Sequence, residues 1–303
     1  MKLLVTGVNG QVGWELVRRC PHHGAVVAGF DRAGLDISDE AAVRRVFDQV
    51  QPGLVINCAA FTAVDRAERE VEAAFRANCD GAAILAESCA RAGVPLVHLS
   101  TDYVFDGSLP RPYREDDPVA PLGVYGRSKE AGERQVRRLL AEHVILRTAW
   151  VYGVHGHNFV KTMLRLGRER EELAVVADQL GCPTSAADLA EVIFVLAEKI
   201  LRQGVDHWGT FHCCGAGEAS WHAFAAEIFR LVADRGERLA VRRLRPITTA
   251  DYPTPARRPA NSRLDCSRLL EVYQTGLPDW RQSLARMLGE LLEFEGREKN
   301  SGG

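Results

Sequence analysis

Tyr125 and Lys129 are the residues in this chain best placed to do proton chemistry. At positions i and i+4 they share one face of a helix, about one turn apart. A phenol titrates near ~10, so it is a weak acid–base group at neutral pH until a cation lowers it. Lysine can do this as a compact point charge that also donates to a sugar hydroxyl, a role arginine's planar fork does not reproduce. Among 38 basic residues only Lys2, Lys129, Lys161, Lys199 and Lys299 are lysines. With so few, chance gives roughly 0.1 Tyr–Lys pairs at this spacing. A pair on an exposed helix, the plainer reading, is the weaker one.

A proton donor needs a carbonyl. The run Pro95 to Leu99 ends in Ser100-Thr101-Asp102, and in doubly wound sheets ligands bind outside the carboxyl ends of strands. Ser100 or Thr101 is placed to donate to a substrate carbonyl; Thr101 is the choice, with Asp102 beside it. The next apolar run closes on Trp150 at the same edge, where an indole lines a sugar-sized pocket or is plain core.

Near the start, Thr6-Gly-Val-Asn-Gly-Gln-Val-Gly13 joins an apolar run to a helical pattern. Gly7 permits the tight turn, Gly10 lets backbone N–H groups approach a pyrophosphate, and Gly13 lets the helix pack closely; Gln11 and Val12 open that helix. The second run ends at Phe30-Asp31-Arg32. Asp31 suits the ribose hydroxyls of NADH and Arg32 the 2'-phosphate of NADPH, so both cofactors stay open. Asp36 and Ile37 are placed to hold adenine, and Ala59, Ala60, Phe61 and Thr62 follow the third run where the cofactor approaches.

The elements that position these residues alternate from the first residue. Strands are expected at Lys2–Thr6, Ala25–Phe30, Leu54–Cys58, Pro95–Leu99 and Val144–Thr148. Helices are expected at Gln11–Cys20, Asp39–Gln49, Tyr125–Ala141 and, as one long element, Arg66–Arg91. Such continuous Val, Leu and Ile runs belong to a parallel sheet covered on both faces. The fold class is α/β, a doubly wound Rossmann-like sheet with a smaller C-terminal substrate lobe. The expected division is a dinucleotide-binding core over 1–153, a mixed remainder of sheet and substrate lobe over 154–294, and a mobile tail over 295–303. Within the remainder, helices are read at Asn158–Arg170 and Ala186–Leu201, a strand at Leu173–Ala177, and a proline-rich surface loop at Arg245–Arg263.

Composition narrows the class. The chain has 303 residues, is 46% hydrophobic and carries a net charge of -2, which favours no nucleic-acid partner. No leader and no membrane-length apolar run are read, so a soluble cytoplasmic protein is expected. The 8 cysteines lack any Cys-x-x-Cys pair and read as reduced and structural. His155-Gly-His157 reads as a loop.

Together these residues resemble the extended short-chain dehydrogenase/reductase superfamily and, within it, the dTDP-4-dehydrorhamnose reductases. The resemblance is carried by the glycine loop through Leu16, Ala63-Val-Asp65, Ser100-Thr-Asp-Tyr-Val-Phe105, Val124-Tyr-Gly126, Arg147-Thr-Ala-Trp-Val-Tyr152, Asn158-Phe159, Asp178-Gln179, Pro183-Thr184, and Tyr252 to Leu264. It implies NADPH- or NADH-dependent reduction of the 4-keto group of a dTDP-sugar, dTDP-4-dehydro-L-rhamnose, to dTDP-L-rhamnose. Tyr125 would be the proton donor, and Trp150, Asn158 and Arg258 would contact sugar, base or diphosphate. A monomer or homodimer is expected. Some relatives dimerise through a magnesium ion on glutamates. Here Glu15 is present but Ala187, beside Asp188, stands where another carboxylate is expected, so no essential metal is anticipated. Two competing readings are a nucleotide-sugar dehydratase or epimerase, and a reductase-like regulatory subunit resembling the beta subunit of methionine adenosyltransferase. Tyr103 after Asp102 disfavours dehydration, and the intact Tyr125, Lys129 and Thr101 disfavour a purely binding role.

Overall fold

A computed structural model of the chain describes residues 1–204 and 207–301, with side chains through 294. In chain order the elements are β1 (Lys2–Thr6), α1 (Gln11–Arg19), β2 (Val26–Phe30), α2 (Glu40–Val50), β3 (Leu54–Asn57), α3 (Val64–Ala67), α4 (Val71–Phe75), α5 (Gly81–Ala92), β4 (Leu96–Thr101), α6 (Val124–Leu139), β5 (His143–Thr148), β6 (Val151–Tyr152), α7 (Phe159–Glu169), β7 (Glu172–Val176), β8 (Leu180–Gly181), β9 (Thr184–Ser185), α8 (Ala186–Gln203), β10 (Gly209–His212), β11 (Ala219–Ser220), α9 (Trp221–Ala233), β12 (Arg243–Ile247), α10 (Ser267–Tyr273) and α11 (Trp280–Ser301).

Six strands form one parallel sheet in the order β10-β5-β4-β3-β1-β2. Its strands are apolar on both faces because both are covered. On one face Leu16 of α1 and Leu189, Ile193 and Phe194 of α8 pack on Leu3, Val5, Leu54 and Ile56. On the other, Val43 and Phe47 of α2, Leu85 and Cys89 of α5 and Val136 of α6 pack on Leu4, Val55, Leu96 and Ile145. A separate cluster of Val160, Phe224, Ile228, Trp280, Leu284 and Leu288 joins α7, α9 and α11.

The helix starts follow from the sequence. Asp39, Asn158, Ser185 and Ser220 each accept a backbone N–H of the first turn of α2, α7, α8 and α9, satisfying donors that would otherwise lack a partner.

Several expected elements differ. The single helix over 66–91 is broken into α3, α4 and α5, with Glu70 in a non-helical conformation and a π-helical turn at Arg76–Asp80. That turn aims Asn78 inward, where its Oδ1 accepts from Phe61 N (2.8 Å) and its Nδ2 donates to Phe61 O (3.1 Å) and Ser128 Oγ (2.9 Å); π-bulges commonly serve such sites. The proline-rich stretch is not all loop: β12 runs through Pro246 and pairs parallel with β7. A proline is tolerated there because β12 is an edge strand. The sheet's outer strand β10 was not anticipated, since Gly209-Thr-Phe-His212 lacks a continuous apolar run. Helix α11 reaches Ser301, taking in most of the stretch read as a tail, while Gly302 and Gly303 lie outside the described residues. No helix among the described residues is long and apolar enough to cross a membrane.

Candidate active site

The glycine loop is built by sterics. Gly7 sits at φ +72, and a Cβ there would lie 2.6 Å from Ala59 N; a Cβ on Gly13 would lie 2.4 Å from Gly7 O. Only glycine fits either position. The loop, from which α1 begins at Gln11, borders a cleft of about 760 Å³. That cleft is lined by Gly7, Gly10, Asp31, Arg32, Asp36, Ile37, Ala59, Ala60, Phe61 and Thr62, which brings together ten of the residues expected to hold a dinucleotide. Gln11, Val12 and Gly13 stand behind it. Val12 and Gly13 are buried, and Gln11 Nε2 donates to Val151 O (3.2 Å).

The rim holds residues that sequence reasoning missed. Asn9 Nδ2 donates to Asp31 Oδ2 (2.7 Å), and Gly34 N to Asp31 Oδ1 (2.8 Å). Arg76 Nε donates to Ser38 Oγ (2.9 Å), and its guanidinium stands 3.9 Å from Asp36. Ser38 holds the Asp36 carboxyl below its ordinary value, by side-chain and backbone hydrogen bonds. Arg32 is exposed at the same rim. Cys58 lies just past β3 rather than within it, and lines the cleft.

Tyr125 and Lys129 lie on α6, beside the strand ends. The Thr101 hydroxyl acts on the Tyr125 phenol to lower it, and Thr101 Oγ1 donates to Asp102 Oδ1 (2.9 Å). Burial raises the Tyr125 phenol above its ordinary value, only partly opposed by the Thr101 bond. Lys129 is buried; its Nζ donates to Leu99 O (2.6 Å) and lies 3.5 Å from His98 Nε2. Burial lowers this ammonium to about 8, against the attraction of Glu133 and Cys58. The lysine thus points at a backbone carbonyl and a histidine in this state.

Asp102 is buried, and burial pushes its carboxyl up to about 6 against the pull of Ser262 and Thr101. Among the described residues no donor reaches its Oδ2 with hydrogen-bond geometry, an exposed need in a buried group. Tyr103 meets the Tyr125 ring edge-on, centroids 5.6 Å apart, and its hydroxyl accepts from Arg258 Nη1 (3.1 Å). The other arm of Arg258 donates to Asp65 Oδ2 (2.8 Å).

Trp150 has φ +47, a strained value for a bulky residue. Its indole stacks on Trp221 at 3.5 Å and packs so tightly on Gly181 that a Cβ there would lie 2.3 Å from it. Asn158 caps α7, and its Nδ2 donates to Gln11 Oε1 (2.9 Å) and Gly153 O (2.8 Å). The bond to Gln11 ties the glycine loop to the start of α7. His155 stacks on Trp14 at 5.1 Å, with Nε2 3.1 Å from Asn9 O.

Helix α6 is fixed from below by Glu133, fully buried. Arg147 of β5 meets it with Nη2 at 2.7 Å and Nε at 2.9 Å, Arg137 at 2.9 Å and Ser100 Oγ at 2.5 Å. Glu15, the one glutamate present of those read for magnesium, is matched by arginines: its Oε2 accepts from Arg18 Nη2 (2.7 Å) and Arg19 Nε (2.8 Å), while Asp188, beside Ala187, accepts from Arg286 (2.7 Å). Among the described residues no group of three or more His, Cys, Asp and Glu could hold a metal. The cysteines are all free, yet not all isolated, since Cys214 and Cys266 sulfurs lie 3.4 Å apart.

Comparison with known proteins agrees over nearly the whole chain. A family model described as the RmlD substrate binding domain matches residues 1–293. The dTDP-4-dehydrorhamnose reductase of Sinorhizobium fredii is 45% identical over 300 residues, covering 98% of this chain and 100% of that one. The structure of the dTDP-4-dehydrorhamnose reductase of Clostridium acetobutylicum superimposes with a TM-score of 0.89 at 41% identity, covering 96% of this chain and 100% of that one. That of Bacillus anthracis, in complex with NADP, gives 0.87 at 38% identity with the same coverage. This chain therefore belongs to the RmlD family, that of the dTDP-4-dehydrorhamnose reductases.

Proposed function

We propose that the chain catalyses NADPH- or NADH-dependent reduction of the 4-keto group of dTDP-4-dehydro-L-rhamnose, giving dTDP-L-rhamnose, with Tyr125 as proton donor. The observation that supports this is the buried cluster of Tyr125, Lys129, Thr101 and Asp102 at the sheet's carboxyl edge, where the glycine-loop cleft also lies. In this reading the cleft holds the dinucleotide: Gly7 and Gly13 make the tight turn and close packing that only glycine allows, and the start of α1 would offer N–H groups to a pyrophosphate. A bound nicotinamide supplies the hydride.

The chain's own residues supply the rest. Burial keeps the Tyr125 phenol protonated, so it can donate to the carbonyl oxygen as negative charge develops there. Thr101 can donate to the same oxygen by turning its hydroxyl away from Asp102, to which it donates in this structure. Asp102 Oδ2 is free to accept from a sugar hydroxyl. Arg258, held beside Tyr103, carries the charge to meet a diphosphate. Trp150 closes the sugar end with its stacked partner. In this reading the substrate is a dissolved nucleotide sugar met in the cytoplasm, by a monomer or homodimer.

The test is to mix protein, NADPH and dTDP-4-dehydrorhamnose and follow absorbance of the reduced cofactor. Substrate-dependent oxidation is expected, and its absence in protein that binds NADPH overturns the reading. Tyr125→Phe should keep cofactor affinity and lose turnover by at least 10²-fold; surviving turnover removes Tyr125 as the acid.

A further inference from the structure

Behind Lys129 lies a buried row of polar side chains that the reaction as described leaves unused: Thr6, Asn57 and His98, each about 1% exposed. Thr6 Oγ1 donates to Asn57 Oδ1 (2.7 Å), and so does the backbone N–H of Ala59 (3.1 Å). A backbone N–H can only donate, so this fixes the Asn57 amide with its oxygen toward Ala59. Its Nδ2 is then the donor that faces His98 Nδ1 at 3.0 Å. Nδ1 must present a lone pair, and a neutral His98 carries its proton on Nε2. Burial, chiefly, keeps His98 neutral, with the Lys129 charge acting in the same direction.

That Nε2–H points at Lys129 Nζ, 3.5 Å away. An ammonium has three N–H donors and no lone pair, so it would set donor against donor. The amine form can accept from His98 while still donating to Leu99 O at 2.6 Å. We propose that His98, its tautomer fixed by Asn57, is a positioning residue that decides whether Lys129 faces the catalytic centre as an amine or as an ammonium. Three further titratable groups act on the pair. Glu133, one turn along α6, favours the ammonium but is shared among Arg147, Arg137 and Ser100. The Cys58 thiol is pushed up to about 12 by burial and is neutral. His143 of β5 disfavours charge on His98 and is itself lowered by burial. The consequence for reduction is a lysine balanced between its two forms near the working pH, able to hold the proton that restores Tyr125 after turnover.

The inference rests on Tyr125 and Lys129 being the acid–base pair, and its test separates the two. In NADP-bound protein labelled with ¹⁵N-histidine, the His98 signals, identified by their loss in His98→Phe, should show the Nε2–H tautomer from pH 6 to 9. Its Nε2 shift should move as Lys129 changes charge near pH 8. A proton on Nδ1, or an imidazolium forming near pH 6.5, overturns the proposal whatever the turnover. In kinetics, His98→Phe and Asn57→Ala should both move the alkaline limb of kcat/KM upward by roughly half a unit to one unit. Lower activity at every pH with the limb unmoved would mean that both residues are only structural.

Discussion

Glu133 is where the fold and the site depend most on one side chain. It is fully buried on α6 one turn past Lys129, and Arg147, 3% exposed, meets it from β5 in a two-pronged contact at 2.7 and 2.9 Å. Glu133→Gln keeps the shape and removes the charge, leaving the Arg147 guanidinium buried without a counter-ion. Breaking such a pair costs about 3–5 kcal/mol, because an uncompensated charge stays in low dielectric. Removing both charges is a different experiment: Glu133→Leu with Arg147→Met should lie within about 2 kcal/mol of the parent, since the desolvation cost goes with them. The assay is urea unfolding of the single and double variants, read at the midpoint with the slope unchanged.

The pH dependence follows with a definite sign. Burial alone would raise the Glu133 carboxyl, but bonds from Arg147, Ser100 and Arg137 reverse that and hold it at about 2. Its folded value lies below the ordinary 4.5, so the stabilisation is complete above 4.5 and is lost as pH falls toward 2. Glu133→Gln should remove that part of the acid sensitivity. A single change costing less than about 1 kcal/mol, or a double variant worse than the single, would refute the reasoning.

Two further outcomes concern ligands. Arg32→Ala should weaken NADPH about tenfold, the worth of one charge-assisted hydrogen bond, and NADH by less than about twofold; equal loss for both in a fluorescence titration would take Arg32 off the 2'-phosphate. Because the folded Asp102 carboxyl is raised to about 6, KM for the dTDP-sugar should climb as pH falls through 6 and the acceptor is protonated. Asp102→Asn should abolish that dependence, and a variant that keeps it would place the titration elsewhere.

How much of this was legible in the sequence depends on how local each cause is. Gly7 and Gly13 could be read because a tight turn and a close helix–strand contact are demanded within one short loop. The strands could be read because burial on both faces leaves continuous apolar runs. The breaks in the helix expected over 66–91 could not, because Asn78 turns inward to reach Phe61 and Ser128, partners 17 and 50 residues away. Neither could the Asn57–His98 and Glu133–Arg147 contacts, made between elements at separations of 41 and 14. Asn158 carries a structural task that its motif position did not show: its amide joins α7 to Gln11 and Gly153.

The largest change concerns what Lys129 does for Tyr125. The spacing alone suggested a cation that lowers the phenol, which is what a residue taking a proton requires. A residue giving a proton needs only to hold one when the carbonyl arrives. Burial raises the phenol here, and Lys129 Nζ donates to Leu99 O. The resting site is therefore loaded for donation. The cation matters after transfer, when a phenolate stands in a buried site and an ammonium nearby becomes its natural counter-charge. Reduction thus asks the lysine to be available as a cation late in the cycle, which is the balance that His98 is placed to adjust.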